Sequence, residues 1–485
     1  MRRFAALLAI AAVALGPAAC RKQPEGAVKV LVIGGAPQLR DPAAGGLSEG
    51  DKVLLSNAAQ GLVGFDASGN IVGGLAERWT VSDDGLSYIF RIASANWPDG
   101  RKITADQVAR LLKREIGPRS RNSLKDQFGA VEDIVAMTDR VIEISLTAPR
   151  PDLLSLLAQP QMAILRGGEG TGPFKAAAAS GGVLRLTREM ASSDDEATTR
   201  EQLLLGGAPA AGAIREFAAA NVDLVVGGTF ADLPLTSQVK LPRDSLRFDP
   251  ASGLFGLVPT RAGGALDKPE VRRLLSEAID RDSFVAAIGV PGLAPRATLL
   301  EPGLDGIAPP TAPAWAATTY PTRVAALQAQ AKRLFGKTAM PPIFVQMPDG
   351  PGADLLFAQL QRNWGALGFT VERTASAATA DFALFDEVAP STSPAWFVRH
   401  FRCALVAVCD TNADQLMDGA RDTPVPAQRY ALLGQAAALI DSGQLFLPIA
   451  APVRWSLVSA RIENFAGNRY ARHTLTDLED RSPNE

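Results

Sequence analysis

A chain of 485 residues, 47% hydrophobic and 21% charged, has a globular composition with ample material for a large core, and length suggests about two to four domains. Its formal net charge of −2 supplies no basic field for nucleic acid or for an acidic membrane surface, so neither is an expected partner. Two histidines, three cysteines and no paired CxxC argue against a metal site, and no cofactor is expected.

Arg2 and Arg3 precede an apolar run from Phe4 to Gly16, followed by Pro17-Ala18-Ala19-Cys20. A basic end, an apolar middle and small residues at the cut make residues 1–20 an export signal. The run is shorter than the ~20 residues of a membrane span. Ala18-Ala19-Cys20 resembles a bacterial lipobox, whose cysteine becomes the lipidated first residue. Pro17 stands where that motif usually carries an aliphatic residue, so an ordinary signal peptide stays open as the alternative. The expected location is the periplasm or cell envelope, with a lipid anchor on Cys20 as the only membrane contact. Setting Cys20 aside leaves Cys403 and Cys409, an even pair in an oxidising compartment. They could form a small-loop disulfide or stand as two buried free thiols.

Residues 21–26 read as a polar tether and 27–35 as a first strand. Residues 80–92 carry a hairpin signal: Asp84-Gly85 turns the chain, and Leu86, Tyr88, Phe90 and Ile92 alternate onto one face. In NWPDGRKITADQV, residues 96–108, Asp99-Gly100 is a turn pair, and Thr104 with Gln107 has capping-box spacing. Turn, cap and amphipathic helix explain nearly every residue there, so Trp97 is expected in the scaffold. With the alternating strand at 141–146, this predicts an α+β block from about 49 to 159. Strands are expected at 181–189 and 222–228, with a helix at 210–220 between them. A helix follows near 268–288, where Val271, Leu274, Leu275, Ala278 and Ile279 form one apolar stripe. Residues 291–321, rich in Pro and Ala, show no periodicity and are expected to wrap a domain surface. Strand 342–347, a helix ended by Gly368, strands 369–373 and 381–386, a helix near 426–441 and a strand near 446–459 complete an α/β half.

Three stretches invite an enzyme reading. Gly46-Leu47-Ser48-Glu49-Gly50 matches the G-x-S-x-G nucleophile elbow, and His473 follows in the required chain order. No strand runs into this elbow, however, since Asp41-Pro42-Ala43-Ala44 precedes it, and a glycine-rich lead into a helix accounts for the pattern. The run 168–175 fails the phosphate-loop spacing, and Pro173 removes a donor. The cluster Asp194, Asp195 and Glu196 reads as a solvated loop.

An ordered series of short stretches resembles the bacterial extracytoplasmic solute-binding proteins of the oligopeptide/dipeptide/nickel type, family 5, the binding subunits of ABC importers. It comprises Leu39-Arg40-Asp41-Pro42, Gly61-Leu62-Val63, Gly74 to Trp79, Ser82 to Phe90, Trp97 to Val108, Gly170 to Phe174, Val222-Asp223, Val271 to Arg281 and Leu447-Pro448-Ile449. The resemblance implies an α/β, two-lobed periplasmic-binding-protein-like fold with two hinge strands. The first lobe would take 27–48, 160–249 and 449–485, the extra α+β domain 49–159, and the second lobe 250–448. A peptide-like or other small solute would bind between the lobes, closure would bury it, and a monomer would deliver it to an ABC permease without chemistry. An exported hydrolase using Ser48 and a degenerate binding fold serving as envelope sensor or interaction module are the competing readings.

The resemblance places the site near LFDEVAPSTSPAWFVRHFR, residues 384–402. Peptide-binding members carry there an Asp-Pro whose aspartate holds the peptide's free amine. Here Ser393-Pro394 aligns with it and the anchor is missing. Asp386 or Glu387 could substitute; otherwise the ligand is not an ordinary free-amine peptide. Trp396, Arg399 and Arg402 are the remaining cleft candidates, Arg being suited to carboxylate or phosphate.

Overall fold

A computed structural model describes residues 26–191, 198–476 and 478–480. The export signal, the tether up to residue 25 with Cys20, and the cluster Asp194, Asp195 and Glu196 lie outside the described residues.

The strand Val28–Ile33 buries Val28, Val30 and Val32 and runs parallel to both neighbours, Thr198–Ala208 and Leu224–Thr229. These form the centre of a seven-stranded sheet, ordered Leu246–Phe248, Arg454–Val458, Leu224–Thr229, Val28–Ile33, Thr198–Ala208, Leu184–Ala191, Lys175–Ala178. A five-stranded sheet is ordered Val371–Thr374, Ile343–Gln346, Phe382–Val388, Gly253–Pro259, Leu447–Ala450. The chain crosses between the two sheets twice, from Phe248 to Gly253 and from Ala450 to Arg454. On that side the two cores touch: Phe230 meets Phe255 edge-on at 4.7 Å. The helix Pro351–Gly365 comes so close that a Cβ at Gly352 would lie 1.9 Å from the Phe230 carbonyl oxygen.

A third, four-stranded antiparallel sheet is ordered Ala76–Val81, Ser87–Ile92, Val141–Leu146, Val131–Thr138. Tyr88, Phe90, Ile142 and Ile144 face its core, and the helix Ala105–Ile116 lays Val108, Ala109 and Leu112 against them. The Thr104–Gln107 capping box is formed. Gln107 Oε1 also accepts the indole N–H of buried Trp97 at 2.8 Å, while Arg166 lies over the ring at 5.0 Å. Trp97 therefore fastens a turn to a helix start.

The second lobe touches this α+β unit away from the hinge. Gln159 Nε2 donates to the Pro390 carbonyl at 2.8 Å, Ser391 Oγ donates to Asp152 at 3.1 Å, and Arg429 donates to the Pro149 carbonyl at 2.5 Å. Arg399 approaches Asp126 at 3.6 Å. Cys403 and Cys409 are joined as a disulfide with their Cα atoms 5.1 Å apart.

Four places differ from the sequence expectation. The apolar stripe of Val271, Leu274, Leu275, Ala278 and Ile279 is buried as expected, but the expected helix 268–288 is two, Pro269–Glu277 and Arg281–Ile288, with Ala278 and Ile279 in the link between them. Asp280 breaks the run by accepting the Ser283 N–H as an N-cap, which competes with continuing the helix. The single strand expected near 446–459 is two, one in each sheet, because the chain changes lobes between them. The helices Tyr320–Phe335 and Thr411–Asp422 had no clear sequence signal; the first buries just Leu327 and Ala331 in its interior, too little for a readable period.

Candidate functional site

Between the two larger sheets lies a cleft of about 460 Å³. One wall is built on the helix Glu49–Ala58, which packs Val53, Leu54 and Ala58 into the core under the seven-stranded sheet. Its start is fixed by a capping box: Ser48 Oγ accepts the Asp51 N–H at 3.1 Å and Asp51 accepts the Ser48 N–H at 3.0 Å. Ser48, the serine of the G-x-S-x-G match, is thus a helix cap, while His473 is held elsewhere by Asp249 at 3.2 Å. From this helix Glu49 and Lys52 face the cleft. Arg472 donates to Glu49 at 2.7 Å and Lys52 lies 3.2 Å from it. Burial alone would raise the Glu49 carboxyl, but Arg472 and Lys52 overcome it and hold it down at about 2.

The opposite wall comes from the end of the strand Phe382–Val388 and the short helix Pro394–Arg399. Asp386, Glu387, Trp396 and Arg399, four of the six residues suggested by sequence, line the cleft. Ser393 and Arg402 are outside the lining: Ser393 opens the short helix and Arg402 pairs with Asp418 at 3.0 Å. Trp396 is buried, packed edge-on against Phe397 at 5.0 Å and His400 at 4.7 Å.

The two adjacent carboxylates have different fates. Arg454, just past the second crossing, donates to both Asp386 oxygens at 2.9 and 3.1 Å and to its carbonyl at 3.1 Å. Burial pushes the Asp386 carboxyl up against the pull of Arg454. Glu387 is solvent-exposed in the cleft and, among the described residues, has no cation within ion-pair distance. Its surroundings raise its pKa by desolvation, opposed by the nearby charges of Lys52 and Arg399. His400, also lining the cleft, is kept neutral: burial, helped by Arg399, lowers it to about 3.

Sequence reasoning missed Glu49, Lys52, Asp249, His400, Arg454, Arg472 and His473. Arg472 and Glu49 are 423 positions apart and Arg454 and Asp386 are 68 apart. No local pattern links such pairs. The set can orient a small charged solute between two walls; it shows no nucleophile paired with a base.

Comparison with known proteins gives a consistent picture. Residues 70–388 match the profile of the bacterial extracellular solute-binding proteins, family 5. A probable di/tripeptide-binding protein of Pseudomonas aeruginosa is 26% identical, with 86% of this chain and 88% of that protein covered. The Escherichia coli murein tripeptide binding protein MppA superposes with a TM-score of 0.78 at 15% identity, over 94% of this chain and 99% of that one. Haemophilus influenzae OppA in complex with RPPGFSPFR gives 0.77 at 15% identity, over 94% and 100%. These superpositions show that the fold is shared: two α/β lobes joined at a hinge.

Proposed function

This chain belongs to the bacterial extracellular solute-binding proteins of family 5, and from that premise we propose that its cleft captures a short peptide-like zwitterion whose ammonium docks on Glu387. The carrying observation is that, among the described residues, Glu387 is the cleft carboxylate whose side chain has neither an ion pair nor a hydrogen bond, whereas Asp386 is already held by Arg454, Glu49 by Arg472 and Asp249 by His473 and the Asn468 N–H. Lys52 and Arg399 supply positive charge for the ligand's carboxylate; the Asp126 partner of Arg399 is 3.6 Å away with a 65% exposed side chain, a weak competitor. A ligand touching both walls favours the closed arrangement, because it gains contacts there that an open one lacks.

In this reading 27–48, 160–249 and 449–485 make one lobe and 250–448 the other. The extra domain falls within 49–159, its Glu49–Ala58 helix packing with the first lobe. The protein acts outside the cytoplasm as a monomer, held by lipid on Cys20, and hands its solute to an ABC permease.

Calorimetric titration with a free-amine dipeptide and its N-acetyl form tests the site. The free amine should bind about tenfold or more tightly, and Glu387→Gln should abolish that preference. Equal affinity for the two forms in the wild-type protein would exclude Glu387 as the amine anchor.

A further inference from the structure

A second cavity, about 480 Å³ and so as large as the cleft, lies behind the helix Glu49–Ala58. It sits between the back of that helix, the two-stranded hairpin Val63–Phe65 and Ile71–Gly73, and the segment around Thr474. Ser56, Gln159, Arg472 and His473 line both spaces, so the two are neighbours across these residues. The divider includes a long contact, Arg472 Nε to Gln159 Oε1 at 3.4 Å.

The chemistry of the chamber differs from that of the cleft. Among the described residues no carboxylate lines it. Its two guanidinium groups are already engaged: Arg188 by Glu201, by the Thr476 carbonyl at 2.7 Å and by the ring of Phe174, and Arg472 by Glu49 at 2.7 Å. The imidazole of His473 is bonded to Asp249. The rest of the described lining is apolar or hydroxyl-bearing, including Leu55, Ala59, Val72 and Thr171, apart from the amides of Gln60, which donates to the Thr171 carbonyl at 2.7 Å, and Gln159, which donates to the Pro390 carbonyl at 2.8 Å. An ion entering would lose hydration and meet no unpaired partner, whereas an uncharged chain would lose little.

We propose that this chamber is a ligand subsite that takes an uncharged extension of the solute bound in the cleft, passing the Arg472–Gln159 divider; the proposal rests on the peptide-like reading of the cleft. Position 64 offers a way to test it. Gly64 lines the chamber and is the cross-strand partner of Val72, so their side-chain directions coincide. A Cβ at Gly64 would meet no atom within 4 Å, so a side chain can leave the backbone there without a clash. Gly64 is not part of the cleft lining.

The probes are dialanine and alanyl-2-aminodecanoic acid, a dipeptide whose second side chain is a long uncharged alkyl chain, titrated calorimetrically against the full chain, its Gly64→Leu variant and, as a second filling variant, Val72→Phe. The expected result is that the wild type binds the alkyl dipeptide more tightly than dialanine, and that each filling variant weakens the alkyl dipeptide about tenfold while leaving dialanine unchanged. If dialanine binds and the preference for the alkyl dipeptide is absent, or survives filling unchanged, the chamber proposal is overturned while the cleft reading stands. If neither peptide binds the wild type, the peptide-like reading fails and the chamber assignment falls with it.

Discussion

Asp441 offers a sharp test of how burial sets stability here. It lies in the last turn of the helix Pro426–Gly443, where the negative end of the helix dipole opposes another negative charge. Its Oδ1 accepts the Leu299 N–H at 2.9 Å, and no cation is within ion-pair distance among the described residues. Burial pushes its carboxyl up from 3.8 to about 7, the one hydrogen bond pulling back. A carboxyl whose folded pKa is raised binds its proton more tightly when folded. Its contribution is therefore fully present below pH 3.8 and lost as pH rises through about 7. Each pH unit of displacement corresponds to about 1.4 kcal/mol, so ionised Asp441 costs up to about 4 kcal/mol. Asp441→Asn keeps an acceptor for Leu299 and cannot ionise. The variant should match the wild type near pH 4 and exceed it at pH 8, by several degrees in thermal midpoint. Differential scanning calorimetry of both proteins across that range is the assay. An advantage that is constant with pH, or that grows as pH falls, would refute the reasoning.

Other outcomes follow from single contacts. Asp386→Ala strands the Arg454 guanidinium, whose side chain is 16% exposed, and should lower stability by about 3 kcal/mol; adding Arg454→Met should recover most of it, read from urea midpoints. Replacing Cys403 and Cys409 together by serine opens a small loop and should cost about 2 kcal/mol, with dithiothreitol lowering the wild-type midpoint similarly. Ser48→Ala removes a helix cap and should cost about 1 kcal/mol while leaving background hydrolysis of p-nitrophenyl acetate unchanged. Trp97→Phe loses the bond to Gln107, again about 1 kcal/mol, and dipeptide affinity should not move.

The features legible in the sequence are those whose causes are local. Thr104 and Gln107, three residues apart, close their cap in the structure as spacing predicts. Tyr88, Phe90 and Ile92 fall on one buried face because a strand alternates its side chains. The stripe through Val271 and Leu275 identified a buried helical face, though the competing cap at Asp280 divided the expected helix 268–288 in two. The ordered short stretches from Leu39 to Ile449 carried the family, and with it the two-lobed fold.

The site was legible in part. The sequence pointed to the 384–402 region, four of whose candidates line the cleft, but it offered Asp386 and Glu387 as equals. Neighbours in a strand point to opposite faces, and which of them meets a cation depends on what the other lobe brings. Arg454 arrives from the seven-stranded sheet and takes Asp386, leaving Glu387 to the solvent of the cleft. Sequence by itself determined the helix starts, the hairpin, the buried periodicities and the family, since each rests on contacts within a few residues or on an ordered pattern. Only the tertiary structure decided the cleft's charges, its second chamber and the change of lobe between Ala450 and Arg454, because these depend on groups brought together from segments tens to hundreds of residues apart.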